Sequence, residues 1–336
     1  MNRVAIVVLN WNGIEDTLLC LNSLLAQTYK HFQIVVIDNG SIDTSKEVLE
    51  KYRIKHSNKI DVIYNPINFG FAGGVNTGIE WVLNEDFNYV ALFNNDAIAD
   101  KHWLQSLVDA AQPKDIGITT GLLLHEDGTT IDSSGDWLSS WGLAFPRNRE
   151  DDVSKTPKAG LVFGATGGAS LYKIALFKDI GLFDDDFFAY YEDADLSFRA
   201  QLAGWKVAYT PKAVAYHKQG ATSKKIPGFT TYQTFKNLPL LFLKNVPRGL
   251  LFPVGIRFYF AYWLILLNAI AKGNGTSATK GACKSFVLGF KALSARMSIQ
   301  RNKRVSDAYI KSILWNDLPP DQTGVRKLRR IFTGKR

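Results

Sequence analysis

The chain has 336 residues, enough for one large domain or two ordinary ones, and its hydrophobic share of 46% is ample for a packed core. Its two cysteines, Cys20 and Cys283, lie far apart without metal-ligand spacing, which argues against a disulfide framework and for a reducing compartment. The net charge of +9 is divided unevenly: residues 1–223 hold 19 Lys and Arg against 28 Asp and Glu, whereas residues 224–336 hold 21 against 3. Such segregation marks two parts with different partners, an acidic part suited to metal and nucleotide and a basic part suited to anionic lipid, phosphate or nucleic acid.

Residues 1–13 hold too short an apolar run for a signal peptide and end like a strand, so no secretion is expected. Val4–Leu9 reads as a buried strand, and Glu15–Gln27 as a helix through Leu18, Leu21, Leu24 and Leu25. Phe32–Ile37 is a second strand ending in the turn Asp38-Asn39-Gly40-Ser41, and Ser45–Tyr52 is helical. Ile60–Tyr64 is a third strand, followed by a Gly/Asn-rich loop over Asn68–Gly78 and a helix over Val75–Leu83. Tyr89–Phe93 is a fourth strand ending at Asn94-Asn95-Asp96. This alternation implies an α/β fold with a mostly parallel central sheet. Ligands bind at the carboxyl ends of such strands, where all three polar clusters fall.

Residues 115–175 are less regular, and the Gly-rich Gly160–Tyr172 could line a pocket. Val207–His217 reads as a strand pair broken by Pro211. From about 224 the character changes to apolar runs with basic residues between them. Phe258–Ala271 is uncharged but only 14 residues long, and Arg257 and Pro253 stand before it. As a helix it reaches roughly 21 Å, short of a ~30 Å hydrocarbon core, so an interfacial or core helix is expected rather than a span. Lys284–Arg304 mixes Phe286, Leu288, Phe290 and Leu293 with cations, as membrane-surface helices do, or as a basic soluble helix would.

The densest chemical signal is Phe187-Phe188-Ala189-Tyr190-Tyr191-Glu192-Asp193-Ala194-Asp195, with Arg199 four residues on. Acids in a first turn suit the helix dipole, and Asp195 and Arg199 can pair on one face. A carboxylate beside an aromatic wall can take a proton from a bound hydroxyl, although capping acids alone would look similar. Asp38 at a strand end can accept from a base or a ribose, or simply build a turn. The glycines after the third strand permit close approach to a phosphate or sugar, yet match neither a dinucleotide fingerprint nor a P-loop. Asp96 and Asn94 can help hold Mg²⁺ or Mn²⁺ through oxygen, and His217 could be a further ligand or structural.

In this order and spacing the pieces resemble a family 2 glycosyltransferase with the GT-A fold. They are Asn10-Trp11-Asn12-Gly13, the Asp38–Asp43 turn, the Asn68–Gly78 loop, Asn94-Asn95-Asp96, and Glu192-Asp193-Ala194-Asp195 with Arg199. The loop and the Leu92–Asp96 wording most resemble the rhamnosyltransferase-like branch, which uses dTDP-rhamnose and builds bacterial surface polysaccharide such as O-antigen and cell-wall glycans. The resemblance implies that residues 1–223 form a GT-A nucleotide-sugar-binding catalytic domain. Residues 224–336 would be a basic, mainly helical region for membrane-surface association and acceptor binding. It implies Asp193 as general base with Glu192 and Asp195 shaping its field. Asn10, Asp38, Asp43, Asn68, Gly73, Gly74, Asn76 and Asn95 would lie on the donor, and Asp96, His217 and Asn94 on a Mg²⁺ or Mn²⁺ ion. The family's metal motif is usually D-x-D; Asn94 at its first position is a weaker ligand.

These roles add up to an inverting, metal-dependent hexosyltransferase, peripheral on the inner face of the plasma membrane in the cytoplasm. Its partners would be a nucleotide-sugar donor, a lipid-linked glycan acceptor and an anionic membrane, with no nucleic acid. A UDP-sugar transferase of the same family and a non-catalytic polysaccharide-assembly scaffold are the alternatives. A dinucleotide dehydrogenase would need its glycine fingerprint after the first strand, where Asn10-Trp11-Asn12-Gly13 stands instead. A nucleotidyltransferase would need a Gly-rich, Arg/Lys-bearing loop at the same place.

Overall fold

The computed structural model describes residues 2–218 and 226–317. Strands and helices alternate at first: β1 (Val4–Asn10), α1 (Ile14–Leu25), β2 (Phe32–Asn39), α2 (Ser45–Lys55), β3 (Ile60–Asn65), α3 (Gly70–Leu83) and β4 (Tyr89–Asn94). Then come β5 (Ala97–Ala99), α4 (Trp103–Ala110), the long β6 (Ile116–His125) and the short β7 (Ile131–Ser133), β8 (Asp136–Leu138), β9 (Ala144–Pro146) and β10 (Gly160–Val162). β11 (Ala169–Lys173), α5 (Ile174–Ile180), α6 (Glu192–Leu202) and β12 (Lys206–His217) close the sheet region. Four helices follow: α7 (Phe229–Asn245), α8 (Leu251–Ala271), α9 (Gly275–Arg301) and α10 (Asp307–Ile313).

The main sheet has the order β10–β12–β6–β11–β4–β1–β2–β3, with β5 added to β12 and β7 to β6. From β4 through β1 and β2 to β3 every neighbour is parallel. β12 and β6 are also parallel, while β11 runs antiparallel between β4 and β6. β1 is apolar at nearly every position because helices cover both faces. Val4, Ile6 and Val8 point to the layer of α1 and α4, and Ala5 and Val7 to the layer of α3. Register brings the polar strand ends level: Asn10 lies opposite Asp38, and Leu9 opposite Asn94. The expected α/β fold with its helical C-terminal region is therefore present, in a sheet that is mixed on the β6 side.

Three local expectations change. The segment read as a loop over Asn68–Gly78 is mostly helix, since α3 already begins at Gly70. Gly70 enters with φ +75°, where a Cβ would meet the Phe188 carbonyl oxygen at 2.4 Å, and its N–H donates to Asn68 Oδ1 at 2.7 Å. Gly74 and Gly78 face β1 so closely that a Cβ would lie 2.5 Å from Leu9 and 2.7 Å from Val7. These glycines let helix and sheet touch, and that packing outweighs their low helix propensity.

Val207–His217 is not a pair but part of one twelve-residue strand, β12. Its ladder with β6 slips between Tyr209 and Val214, which absorbs Pro211 as an irregularity. Finally, α8 runs over 21 residues, and Arg248–Ala271 is long and apolar enough by length and composition to cross a membrane. Pro253 does not stop it, because it sits in the first turn, where no intrahelical N–H is needed. The length objection to a span therefore fails.

The boundary drawn between residues 223 and 224 lies outside the described residues. On either side of it the chain shares one core: Phe198 and Leu202 of α6 pack with Leu240 and Leu241 of α7 and with Val246 and Leu250. Pro239 inside α7 cannot bond back to Phe235, and that carbonyl accepts instead from the Tyr262 hydroxyl of α8 at 3.2 Å.

Candidate active site

Asn10 and Asp38, side by side at the ends of β1 and β2, anchor one end of the site. Asn10 Nδ2 donates to Asp38 Oδ2 at 2.9 Å, and the Ser41 N–H donates to Asp38 Oδ1 at 3.1 Å. Thr17 Oγ1 donates to Asn10 Oδ1 at 2.8 Å and receives Asn95 Nδ2 at 2.9 Å. One polar chain thus links β2, β1, the start of α1 and the end of β4. Asp38 is fully buried by these partners, whereas Asp43 is exposed and accepts the Ser45 N–H ahead of α2.

The asparagines around α3 are held by protein. Asn68 Oδ1 accepts from Asn39 Nδ2 as well as from Gly70. Asn76 Nδ2 donates to the Phe183 carbonyl and to Asp185 Oδ1, and its Oδ1 accepts the Phe183 N–H. Gly73 would bring a Cβ within 2.8 Å of Phe69 Cβ. The side chains of Asn68 and Asn76 thus tie α3 to its neighbours.

His217, at the end of β12, reaches the β4 end across 121 residues of sequence. Its Nε2 lies 3.1 Å from Asp96 Oδ1 and 3.3 Å from Asn94 Nδ2, and its Nδ1 lies 2.8 Å from Asp132 Oδ2. Burial alone would lower the imidazolium pKa, but the hydrogen bonds of Asp132 and Asp96 outweigh it and raise it to about 9. Asp132 in turn pairs with Arg149 Nη2 at 2.7 Å. With Nδ1–H held by the Asp132 carboxylate, Nε2 could give up its proton and turn to a cation shared with Asp96. With diphosphate oxygens, Asp96 and His217 make a donor set suited to Mg²⁺ or Mn²⁺, so the residues present fit such an ion. Among the described residues no cluster of three His, Cys, Asp or Glu has metal-ligating geometry, so most of the ligands would come from substrate and water.

The acids at the start of α6 sort themselves by environment. Asp195 is 0% exposed and meets Arg199 Nε at 2.9 Å, Lys244 Nζ at 2.9 Å and Asn245 Nδ2 at 2.8 Å. Burial opposes its charge, but Lys244 and Arg199 hold its carboxyl down at about 2. Glu192 is 5% exposed, and its Oε2 has no hydrogen-bond partner among the described residues. Burial and the Asp193 charge push it well above the usual carboxylate range. Asp193 alone of the three is partly open to solvent. Its Oδ2 accepts the Gly167 N–H at 3.0 Å and its Oδ1 the Ala194 N–H at 2.8 Å. Burial raises it, and those two amides work against the rise.

The loop before α6 is strained. Phe188, Tyr190 and Tyr191 have φ of 60°, 68° and 73°, and each such residue costs about 1–3 kcal/mol. Across from it the Gly-rich segment joins the two halves of the site. Gly164 exchanges both backbone hydrogen bonds with Asp136, Gly167 holds Asp193, and the Gly168 carbonyl accepts the Asn94 N–H at 2.8 Å. A Cβ on Gly168 would lie 2.9 Å from Asn94 Nδ2. The expected pocket lining of Gly160–Tyr172 is in this sense a hub. Its first residues also line a pocket, as expected: a cavity of about 560 Å³ between β10 and α10 is walled by Leu161, Val162 and Phe163 together with Trp137 and Trp315, apart from the acids of α6 and from His217.

A family model described as glycosyl transferase family 2 matches residues 5–181, more than half of the 336 residues. The chain belongs to glycosyl transferase family 2. It is 28% identical over 158 residues to an uncharacterized glycosyltransferase of Nostoc sp., covering 47% of this chain and 46% of that protein. It is 27% identical over 205 residues to the poly-β-1,6-N-acetyl-D-glucosamine synthase of Staphylococcus aureus, covering 60% and 46%. The chain spans about half the length of these curated relatives. Among solved structures it resembles a mannosyltransferase from Pyrobaculum calidifontis in complex with GDP-Man and Mn²⁺, with TM-score 0.56, 15% identity and coverage of 94% and 87%. It also resembles GalNAc-T7 with UDP, GalNAc and Mn²⁺, with TM-score 0.61, 16% identity and coverage of 89% and 57%. At these identities the likeness is one of fold, and the fold is GT-A.

The family match ends before Glu192, so the acids of α6 stand on their geometry. Sequence reasoning missed Asp132, Asp136 and Arg149, which lie in the stretch read as irregular. Asp136 faces the charge of Asp193, and burial together with that charge raises its carboxyl well above the usual range. Arg149 acts on both. The only available signal was their density of charge between short strands, which does not point across to residue 193.

Proposed function

We propose that this family 2 enzyme is an inverting transferase that moves L-rhamnose from dTDP-rhamnose to a hydroxyl of a lipid-linked glycan in bacterial surface polysaccharide synthesis. The observation that carries the catalytic part is the sorting of the three acids of α6. Only Asp193 is partly open, held by two amides and joined through Gly167 and Gly168 to Asn94. Asp193 takes the proton of the acceptor hydroxyl. The acceptor oxygen bonds to the anomeric carbon as the bond from that carbon to the diphosphate breaks, which inverts the configuration. The proton then passes from Asp193 to solvent. When bound by Asp96 and His217, Mg²⁺ or Mn²⁺ would neutralise charge on the leaving diphosphate. Asp38 and Asn10 are the residues proposed for the nucleoside end.

The sugar rests on the resemblance of Asn68–Gly78 and Leu92–Asp96 to the rhamnosyltransferase-like branch. A second reading keeps the chemistry and changes the donor to a UDP-sugar; it is favoured by the similarity to an N-acetylglucosamine polymer synthase and to the fold of a UDP-bound structure. The proposed seat is the cytoplasmic face of the plasma membrane. It is supported by the excess of cations beyond residue 223 and by apolar side chains on α8 and α9, among them Phe252, Phe260, Phe286 and Phe290, all exposed.

Calorimetric titration with dTDP, UDP, GDP and NAD, each with and without Mn²⁺, tests the donor. Metal-enhanced binding of dTDP over the others is expected. Preference for UDP would move the donor to the second reading, and no nucleotide binding by folded protein would leave the scaffold alternative.

A further inference from the structure

A loop with three left-handed non-glycine residues among the four before Glu192 persists only where its surroundings fix it. On one side the Ala72 N–H of α3 donates to the Phe188 carbonyl at 3.1 Å. On the other side stands α7. Asn237 Nδ2 reaches three carbonyls of the loop, Phe187 at 2.9 Å, Ala189 at 2.9 Å and Tyr190 at 2.7 Å. Lys236 Nζ donates to the carbonyls of Asp186 at 2.8 Å and Phe187 at 3.0 Å. Asn237 is 0% exposed, and its Oδ1 has no hydrogen-bond partner among the described residues, so the side chain serves the loop as a donor.

Two turns further along the same helix, Lys244 and Asn245 grip Asp195 of α6. Residues 237, 241, 244 and 245 share one helical face, so α7 holds both the entrance and the first turn of the helix that carries Asp193. No residue of α7 lies within the matched family region, which ends at residue 181.

We infer that Asn237 is a positioning residue for Asp193: α7, from the basic C-terminal region, locks the 187–191 loop and so completes the active site. This rests on Asp193 being the base. Without the amide the loop relaxes toward ordinary φ values, and the start of α6, with Asp193, turns away from the acceptor hydroxyl. A misplacement of about 1 Å can cost about 100-fold in rate.

The test uses the full-length protein, with turnover followed as nucleoside diphosphate release from dTDP-rhamnose or the UDP-sugar that binds, over membrane extract as acceptor source. In Asn237→Ser, kcat is expected to fall about 100-fold with the donor KM within about two-fold. Amide hydrogen exchange at residues 187–193 should speed up. Leu107→Ala, a core truncation in α4 away from α7, should lower Tm at least as much while leaving kcat within about two-fold. Should Asn237→Ser not fold, Lys236→Met removes the neighbouring donors and is expected to lower kcat about ten-fold with the same unchanged KM. Wild-type kcat in the clamp variant beside a dead Asp193→Asn would overturn this inference alone, as would an equal kcat loss in Leu107→Ala. Wild-type turnover in Asp193→Asn would instead remove the reading of the base, and the inference with it.

Discussion

The two halves of the cleft are built by different means. The donor half comes from strand register: Asn10, Asp38 and Asn94 stand level because β1, β2 and β4 are parallel and in step, and His217 arrives at the end of β12. Such a site follows from the sheet, with one left-handed residue, Asn12 at φ 49°, in the turn after β1. The acceptor half comes from a strained loop and one helix start, held from outside the sheet by α7. On the proposed reading, rigid register would bind the nucleotide diphosphate, and the clamped loop would aim the base. The halves should therefore fail separately.

The largest separable effect is expected in the ion network below the base. Lys244→Met leaves Asp195 with fewer partners in a buried site, and loss of about 3–5 kcal/mol in unfolding free energy is expected from denaturant melts. Mn²⁺-dependent nucleotide binding by the folded fraction should stay unchanged. The same carboxyl sets an acid limit. Its folded value, about 2, lies below its ordinary 3.8, so it adds about 2 kcal/mol above pH 4 that is lost as pH falls toward 2. Asp195→Asn should flatten that part of the stability profile.

Next in size is Asp132→Asn on the donor side. Asp132 orients His217 through Nδ1, and losing such a partner lowers metal affinity about 10–100-fold. Nucleotide titration with Mn²⁺ should show it, while hydrogen exchange of the 187–191 loop stays at the wild-type rate. If both readouts move together, the separation of the halves is wrong.

How much of this was legible in the sequence divides along the same line. Strands β1 to β4 end within two residues of where the apolar runs stop, and the Asp195–Arg199 pair follows from spacing alone. His217 meeting Asp96 needed only the order of motifs, because sheet topology carries one to the other. In the acceptor half the acids of α6 stood out, but what holds them was hidden. Glycines at 70, 74 and 78 look like a loop until β1 lies against them, and Pro253 looks like a stop until it proves to stand in a first turn. Asn237 sits in an apolar helix where an asparagine means little before three carbonyls are seen around its amide. Asp136 and Arg149 lie on chain irregular enough that no period predicts where they point.

The pH dependence of turnover sharpens the comparison from the acceptor side. A base must be ionised to work, and burial raises the Asp193 carboxyl above its ordinary value, so kcat/KM should fall as pH drops through that raised value. Nucleotide binding is not expected to share that limb. The smallest effect belongs to the membrane face. Phe290 is 72% exposed on α9, and Phe290→Asp should weaken binding to anionic vesicles about ten-fold without changing nucleotide affinity. Unchanged vesicle binding in that variant and in Phe286→Asp would remove the proposed seat on α9.

The most direct test of the account is turnover by Asp193→Asn with its nucleotide binding measured in parallel. The account predicts Mn²⁺-dependent binding within about two-fold of wild type and a loss of turnover of about 100-fold or more. Near-normal turnover in that variant would contradict it.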